Sequence, residues 1–191
     1  GNTRAILLAE RTALNFFGHL SGIATLTNKW VKEVSGTKCQ VRDTRKTTPG
    51  MRVIEKYAVR MGGGVNHRMT LSDAALIKDN HIAAAGGVVA AFAKVRGTYP
   101  EAEIEIEVDT LEQLKEVLPL NPDLILLDNM SPELCAQAVA LVNGKCKLEA
   151  SGGISIASAR AYAQSGVDYI AIGALTHSAP VFEIGLDLRT E

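Results

Sequence analysis

Hydrophobic and polar residues follow two periods along the chain, and these predict helices and short strands in turn. From residue 3 to about residue 34 the apolar positions recur at helical spacing, with a break expected near Ser21 and Gly22. Beyond this helix, short extended runs alternate with helical ones. The predicted strands are residues 39–44, 64–68, 104–109, 124–129, 147–151 and 169–173. The predicted helices between them are residues 51–61, 82–96, 111–118, 132–142 and 156–165. Strands that alternate with helices predict a parallel α/β sheet, since each crossover needs a helix.

The faces of the predicted strands favour a barrel over an open sheet. In residues 103–108 three glutamates face one side and three apolar side chains face the other. Lys147 and Glu149 alternate with apolar neighbours in the same way. A doubly wound sheet should be apolar on both faces, whereas a barrel can turn one polar face to its lumen. We therefore predict an incomplete TIM-like α/β barrel of about six parallel strands with a polar lumen. The alternative is that these are edge strands of an open sheet.

Length and composition set the outer bounds. The chain has 191 residues, 47% of them hydrophobic, and a formal net charge of −1, which suits one domain with a sizeable core. The near-neutral charge argues against a sequence-independent nucleic-acid binder. Three cysteines without C-x-x-C spacing indicate a reducing compartment, and no apolar run or signal peptide suggests a membrane or secretion. The helical pattern begins almost at the first residue, so we expect the chain to start inside a larger protein.

Cations gather at three segment ends. Arg45 and Lys46 lie between a short extended run and a Pro-Gly turn, His67 and Arg68 end the next run, and Lys78 opens the third group. Arginine grips carboxylates or phosphates bidentately, and lysine acts as a point charge. Clusters of this kind in a chain without excess positive charge predict a pocket for a small polyanion.

Polar residues and glycine turns close the remaining predicted strands. They are Glu107 with Asp109, Asp128 with Asn129, Ser151-Gly152-Gly153, and Gly173-Ala174. Ligands of parallel α/β folds bind at the carboxyl ends of strands, so these groups should meet. Glu107 and Asp128 suit Mg²⁺, although pairing with nearby cations is the alternative. The turn at residues 151–153 could present amides to a phosphate, and taken singly each group could be a solvated loop.

Other chemistries find no support. The sequence has no P-loop, no dinucleotide fingerprint after a strand and no recognisable Ser-His-Asp arrangement. Gly62-Gly63-Gly64 is a weak phosphate signal, and His81 and His177 lack metal-ligand spacing, so we interpret both as ordinary polar residues. A pocket with both signs of charge suits transfer at an anomeric carbon, where an oxocarbenium-like centre forms and an anion leaves.

At these residues the chain resembles the decarboxylating quinolinate phosphoribosyltransferases. The matching stretches run nearly end to end and are specific as a set. They are residues 10–16, 20–25, 43–50, 55–59, 62–68, 76–81, 126–130 and 173–178. The resemblance implies an incomplete α/β barrel across residues 1–191, preceded in the family by an α/β sandwich domain that this chain lacks. It also implies a cytoplasmic homodimer in which the first domain of one subunit caps the barrel of the other.

The resemblance further implies a reaction and residue roles. Quinolinate and phosphoribosyl pyrophosphate, with Mg²⁺, would give nicotinate mononucleotide, pyrophosphate and CO2. The catalytic residues would be Lys46, Glu107 and Asp128, with the two acids also facing the metal. The quinolinate carboxylates would meet Arg45, His67, Arg68 and Lys78. The 5′-phosphate would meet the turns Ser151-Gly152-Gly153 and Gly173-Ala174.

Two rivals remain at this stage. One is a related phosphoribosyltransferase, of the nicotinate type or a molybdenum-operon homologue. The number of cations favours a dicarboxylic acid over the single carboxylate of nicotinate. The other is a binding or structural domain without turnover.

Overall fold

The computed structural model describes residues 1–187 and shows six parallel strands with helices between them. The strands are β1 (Gln40–Arg42), β2 (Ala75–Ile77), β3 (Ile104–Val108), β4 (Leu124–Asp128), β5 (Lys147–Ser151) and β6 (Tyr169–Ala171). The helices are α1 (Thr3–Val34), α2 (Arg52–Met61), α3 (Asp79–Ala85), α4 (Val88–Thr98), α5 (Leu111–Val117), α6 (Pro132–Val142), α7 (Ile156–Gln164) and α8 (Ala174–His177). A 3₁₀ turn, Leu118–Leu120, follows α5. This confirms the predicted parallel α/β fold.

The sheet has the strand order β1-β6-β5-β4-β3-β2 and does not close by a continuous ladder. Beyond β1 there is one further bridge, between Arg42 and Val65. From the segment at Val65 to β3 is therefore five strand steps, about 24 Å in a flat sheet. Yet the Nε2 of His67 lies 2.9 Å from a carboxylate oxygen of Glu105 on β3. The sheet must curl into most of a ring, which is the incomplete barrel predicted, open at a seam between Val65 and β2.

The polar lumen also follows from the strands as predicted. Glu105, Glu107 and Glu149 are buried, although β3 and β5 both lie inside the sheet rather than at its edges. Their apolar neighbours on the same strands pack outward against the helices, as Ile106 and Leu148 do. The alternative of solvated edge strands is therefore wrong for β3 and β5.

The first and last strands are shorter than the predicted 39–44 and 169–173, and three predicted elements differ in kind. The predicted strand 64–68 is wrong, because only Val65 forms a bridge there; the second strand is the three-residue β2, which is too short to show a period. The predicted break near Gly22 is absent, because α1 runs through it unbroken. The single helix predicted over 82–96 is two helices, separated at Gly86 and Gly87, whose positive φ angles end α3.

Helix α1 packs through its second half only. Its buried residues begin at Gly18, where a side chain would collide with the carbonyl oxygen of Phe182, and Gly22 meets Pro180 in the same way. The first half leaves apolar residues such as Leu8 and Phe17 exposed. Within residues 1–187 no helix combines the length and apolar character needed to cross a membrane.

Candidate active site

One cavity of about 780 Å³ opens at the carboxyl ends of the strands. The twelve residues to which the sequence analysis gave a role line it, whereas Asp109 does not. The twelve are Arg45, Lys46, His67, Arg68, Lys78, Glu107, Asp128, Ser151, Gly152, Gly153, Gly173 and Ala174. The convergence follows from the topology, because parallel strands end at the same rim. The structure thus brings these residues together, while their individual roles stay predictions.

Two arginines line the cavity with polar atoms that have no partner. The Nε atoms of Arg45 and Arg68 are buried and make no hydrogen bond. Arg68 is fixed at its other end, where Nη1 donates to the carbonyl of Ala74 at 2.7 Å. Burial and the neighbouring charge of Arg45 lower the pKa of Arg68. A buried N–H without a partner costs about 1–3 kcal/mol.

Acids line the side of the cavity formed by β3 and β4. Lys78, which follows β2, donates to Glu107 at 2.9 Å, so the ion-pair alternative holds for Glu107. Asp128 accepts at 2.6 Å from the side-chain amide of Asn129. Burial, then the negative charges of Glu107 and Asp109, raises the pKa of Asp128. Carboxylates that repel each other beside a polar cavity can hold a divalent cation.

The turn after β5 is built to fit Asn129. Gly152 has φ +87°, and a Cβ atom there would lie 2.1 Å from the side-chain oxygen of Asn129. Asn129 itself has φ 52°, and its backbone N–H donates to the carbonyl of Ser151 at 2.9 Å. A single asparagine therefore links Asp128 to the glycine turn. The turn precedes α7, whose N-cap is Ser155, so its amides lie near a helix N-terminus.

The other glycine turn brings Lys46 into the cavity. A Cβ atom at Gly173 would lie 3.3 Å from Cδ of Lys46 and 3.1 Å from Nε2 of His177. The hydroxyl of Thr176 on α8 donates to the carbonyl of Lys46 at 2.7 Å. The absence of a side chain at residue 173 is what lets the lysine and the histidine lie side by side. His177 lines the cavity, although its sequence spacing carried no signal for a site.

His67, Glu105 and Glu149 form a buried group at the floor of the cavity. The Nδ1 of His67 accepts from the backbone N–H of Arg68 at 2.7 Å, so the ring proton is on Nε2, which lies 2.9 Å from a carboxylate oxygen of Glu105. The two glutamates each leave one oxygen, Oε1, without a partner. Burial raises the pKa of Glu149 to about 7, with the charge of Glu105 as the second cause. A metal on Nε2 would require a proton on Nδ1, which would clash with that N–H, so the geometry is that of a hydrogen-bonded group.

Sequence reasoning missed Glu149 and His177 as lining residues. The parity of β5 places Glu149 in the lumen, but only the curl of the sheet brings it within 3.6 Å of His67. In contrast, the Gly62–Gly64 run lies outside this cavity. A side chain at Gly62 or Gly64 would collide with Thr27 of α1, so these glycines serve helix packing rather than phosphate binding.

Comparison with known proteins agrees with this geometry. The family model described as the C-terminal domain of quinolinate phosphoribosyl transferase matches residues 23–187. A nicotinate-nucleotide pyrophosphorylase [carboxylating] of Mycobacterium leprae is 55% identical over 188 residues, which cover 97% of this chain and 66% of that protein. A probable enzyme of the same name from Bacillus subtilis is 44% identical, over 98% of this chain and 65% of that protein.

Solved structures show the same likeness. The nicotinate-nucleotide pyrophosphorylase of Ehrlichia chaffeensis superposes with a TM-score of 0.90 at 50% identity, over 93% of this chain and 65% of that one. The corresponding Streptococcus pyogenes structure gives a TM-score of 0.92 at 46% identity, over 96% of this chain and 65% of that one. The chain thus spans slightly less than two thirds of the length of the relatives that it matches.

Proposed function

The chain belongs to the quinolinate phosphoribosyltransferase family, and from this premise we propose that it forms the catalytic barrel of that enzyme. The proposed reaction transfers a phosphoribosyl group from phosphoribosyl pyrophosphate to quinolinate and releases pyrophosphate and CO2. Its product, nicotinate mononucleotide, belongs to de novo NAD biosynthesis. The observation that carries the proposal is a single cavity lined by Arg45, Arg68 and Lys78 together with Glu107 and Asp128.

The cations suit an acid with two adjacent carboxylates. The guanidinium groups of Arg45 and Arg68, which line the cavity, can each donate to a carboxylate, and Lys78 adds a point charge. The Nδ1 of His67 accepts from Arg68 and its Nε2 lies 2.9 Å from Glu105, so its part is to line the floor of the site. A ligand with one carboxylate would leave part of this donor set unsatisfied, which favours quinolinate over nicotinate.

The acids and Lys46 would serve the transfer step. Pyrophosphate leaves as C1 of the ribose gains positive character, and the pyridine nitrogen attacks that carbon. Glu107 and Asp128 face the side of the cavity where the ribose would lie, so their negative charge would stabilise this centre. Lys46 would lie between the acid and the departing pyrophosphate and offset the charge that develops there.

Decarboxylation follows from the product of the transfer. The ring nitrogen now carries a positive charge, so the bond to the adjacent carboxylate can break with its electron pair left on the ring carbon. CO2 departs, and a proton from solvent joins that carbon. The substrate's own ring accepts the electrons, so the residues of this chain need only bind and orient it.

Glu107 and Asp128 would hold Mg²⁺, which neutralises charge on the pyrophosphate when bound. The fit is chemical: Mg²⁺ takes one or two carboxylates and completes its shell with water and phosphate oxygens. The raised pKa of Asp128, caused by burial and by Glu107, reflects negative charge that a cation would offset. The phosphate of the ribose would meet the amides of the 151–153 and 173–174 turns.

We also propose a cytoplasmic homodimer in which a domain from the neighbouring subunit, preceding its barrel, covers the cavity. Exposed apolar side chains on the first half of α1, among them Leu8 at 77% exposure, support a partner surface. Light scattering of this chain and of a longer form that includes the remaining third of the relatives' length tests this. A monomer in both forms would contradict it.

Two measurements test the function. The first is release of labelled CO2 from carboxyl-labelled quinolinate with phosphoribosyl pyrophosphate, by this chain and by the longer form. Release by neither form would favour a domain that binds without turnover. The second is thermal protection, which we expect from quinolinate and not from nicotinate. Equal protection by both acids would remove the quinolinate assignment and favour a related transferase.

A further inference from the structure

The chain between Val65 and Arg68 borders the open seam of the barrel without a strand to pair with on that side. Val65 is the last residue held by the sheet: its N–H donates to Val41 at 2.9 Å, and its carbonyl accepts from Asp43 at 3.3 Å. In a closed ring the next strand would supply partners for the peptide groups of His67. Here those groups are buried, so they need partners from elsewhere.

Two buried charges supply these partners. A carboxylate oxygen of Asp43 accepts from the backbone N–H of His67 at 2.9 Å. The ammonium group of Lys56 donates to the carbonyl of His67 at 2.8 Å and forms an ion pair with Asp43. Both peptide groups of His67 are thus held by one ion pair, formed between the loop after β1 and helix α2.

Asn66 completes the group. Its side-chain amide donates to the second carboxylate oxygen of Asp43 and, at 2.9 Å, to the backbone carbonyl of Lys56. The carboxylate of Asp43 therefore receives the Lys56 ammonium, the Asn66 amide and the His67 N–H. Such complete satisfaction is what a buried charge requires to be tolerated.

Burial of the Asp43–Lys56 ion pair costs desolvation free energy, which points to a role other than stabilising the fold. The side chains of Asp43 and Lys56 are both fully buried, and a buried ion pair adds less stability than apolar side chains of similar volume. What the ion pair does add is a fixed orientation of the peptide groups that it bonds. It sets the backbone of His67, whose neighbour Arg68 donates its N–H to the His67 ring and lines the cavity.

We propose that Asp43 and Lys56 are positioning residues that fix the His67–Arg68 segment in the geometry that receives the anionic acid. The inference rests on the proposed function for the identity of that acid. Asp43 lies two residues before Arg45, so the same ion pair also ties the first cationic cluster to the second. Neither residue lines the cavity, so neither would touch the acid.

The test uses a neutral pair of similar volume, Asp43→Asn with Lys56→Gln, which keeps an acceptor for the N–H of His67 and a donor for its carbonyl. Single substitutions would leave one charge buried and unpaired and could prevent folding, whereas the double variant avoids this. The control is Val142→Ala, a buried truncation on α6 outside the cavity, which lowers stability without touching the segment. Each protein is measured for thermal stability, for hydrogen exchange at residues 65–68 and for quinolinate affinity by calorimetry.

We expect the neutral pair to fold, to exchange faster at residues 65–68 and to bind quinolinate about tenfold or more weakly, since a small misplacement of a binding group is costly. The control should lose stability and keep both affinity and exchange at this segment. Exchange at wild-type rates in the neutral pair would overturn the proposal, as would unchanged affinity. If wild-type protein fails to bind quinolinate, the proposed function fails while the exchange measurement still decides the inference.

Discussion

Lys78 and Glu107, which lie 29 residues apart in sequence, meet 2.9 Å from each other across the rim of the barrel. The lysine follows β2, and the glutamate belongs to β3, so the pair places one group of each sign between neighbouring strand ends. Lys78 is about half exposed, and such a pair adds little to stability. Its significance is therefore chemical. Binding of an anion near Lys78 and of a cation near Glu107 would break this ion pair and give each residue a ligand as its new partner.

Replacement of Glu107 by alanine should lower the rate much more than the affinity. If the carboxylate acts on charge that develops in the transition state, kcat should fall about a hundredfold or more while KM changes little. Steady-state kinetics of CO2 release measure this, with Glu112→Ala, an exposed glutamate on α5, as the control. A large rise in KM with unchanged kcat would contradict the proposed role.

Replacement of Arg68 by lysine should weaken binding of quinolinate. Lysine keeps the charge but loses the planar guanidinium, which bonds to Ala74 through Nη1 and has further N–H groups for a carboxylate. Loss of a hydrogen bond to a charged group costs about 1.5–3 kcal/mol, or roughly tenfold to a hundredfold in affinity. Calorimetry with quinolinate tests this, and Arg60→Lys, an exposed arginine on α2, is the matched control. Equal affinities for all three proteins would refute the role given to Arg68.

Replacement of Gly152 by alanine should damage the site more than the same change at Gly144. Both glycines have positive φ angles, +87° and +76°, so both variants carry similar backbone strain. Only at Gly152 would the new methyl group collide with Asn129, while Gly144 has open space around it. We expect comparable modest losses of stability from the strain, and an additional loss of phosphoribosyl pyrophosphate binding in Gly152→Ala alone. Intact binding in that variant would mean that the turn does not hold the phosphate.

Replacement of Glu149 by glutamine should flatten the dependence of stability on pH. Burial raises the pKa of Glu149 from 4.5 to about 7, so between these values the folded state holds a proton that the unfolded state has released. The free energy of unfolding must then fall as pH rises from about 4.5 to about 7. Glutamine cannot ionise and can still accept from Arg42, so the variant should lose this fall.

Urea denaturation at pH 5 and pH 8 measures the effect. The control is Glu133→Gln, because hydrogen bonding from Ser131 lowers the pKa of the exposed Glu133. The stabilising contribution of Glu133 is lost only as pH falls below about 4.5, so its replacement should leave the difference between pH 5 and pH 8 unchanged. An unchanged difference between the two pH values in Glu149→Gln would show that Glu149 is not the group responsible.

Sequence patterns predicted the strands that are long enough to show a period. β5 was predicted with its exact ends, and β3 and β4 to within one residue, because each has five residues with a consistent alternation or apolar run. β1, β2 and β6 have three residues each, too few for a period; β1 and β6 were predicted too long, and β2 was missed. Local pattern cannot show that a segment is held by side chains rather than by a ladder.

The candidate site was predictable because strand ends meet at one rim whatever the details of packing. The contacts inside the site were not, since they depend on curvature. His67 lies 38 positions before Glu105 and 82 positions before Glu149 along the chain, and it approaches them only because the sheet curls. Which nitrogen of His67 carries its proton likewise depends on the N–H of Arg68, which no spacing rule encodes.

The seam of the barrel has a consequence for how substrate and fold depend on each other. Arg68 lies on one side of the seam, and Lys78 follows β2 on the other side. A molecule with two adjacent carboxylates can therefore be bound from both sides at once. Such a ligand would bridge the seam that the backbone leaves open. Binding of the ligand should then stabilise the whole barrel against unfolding, because the substrate closes the part that the backbone leaves open.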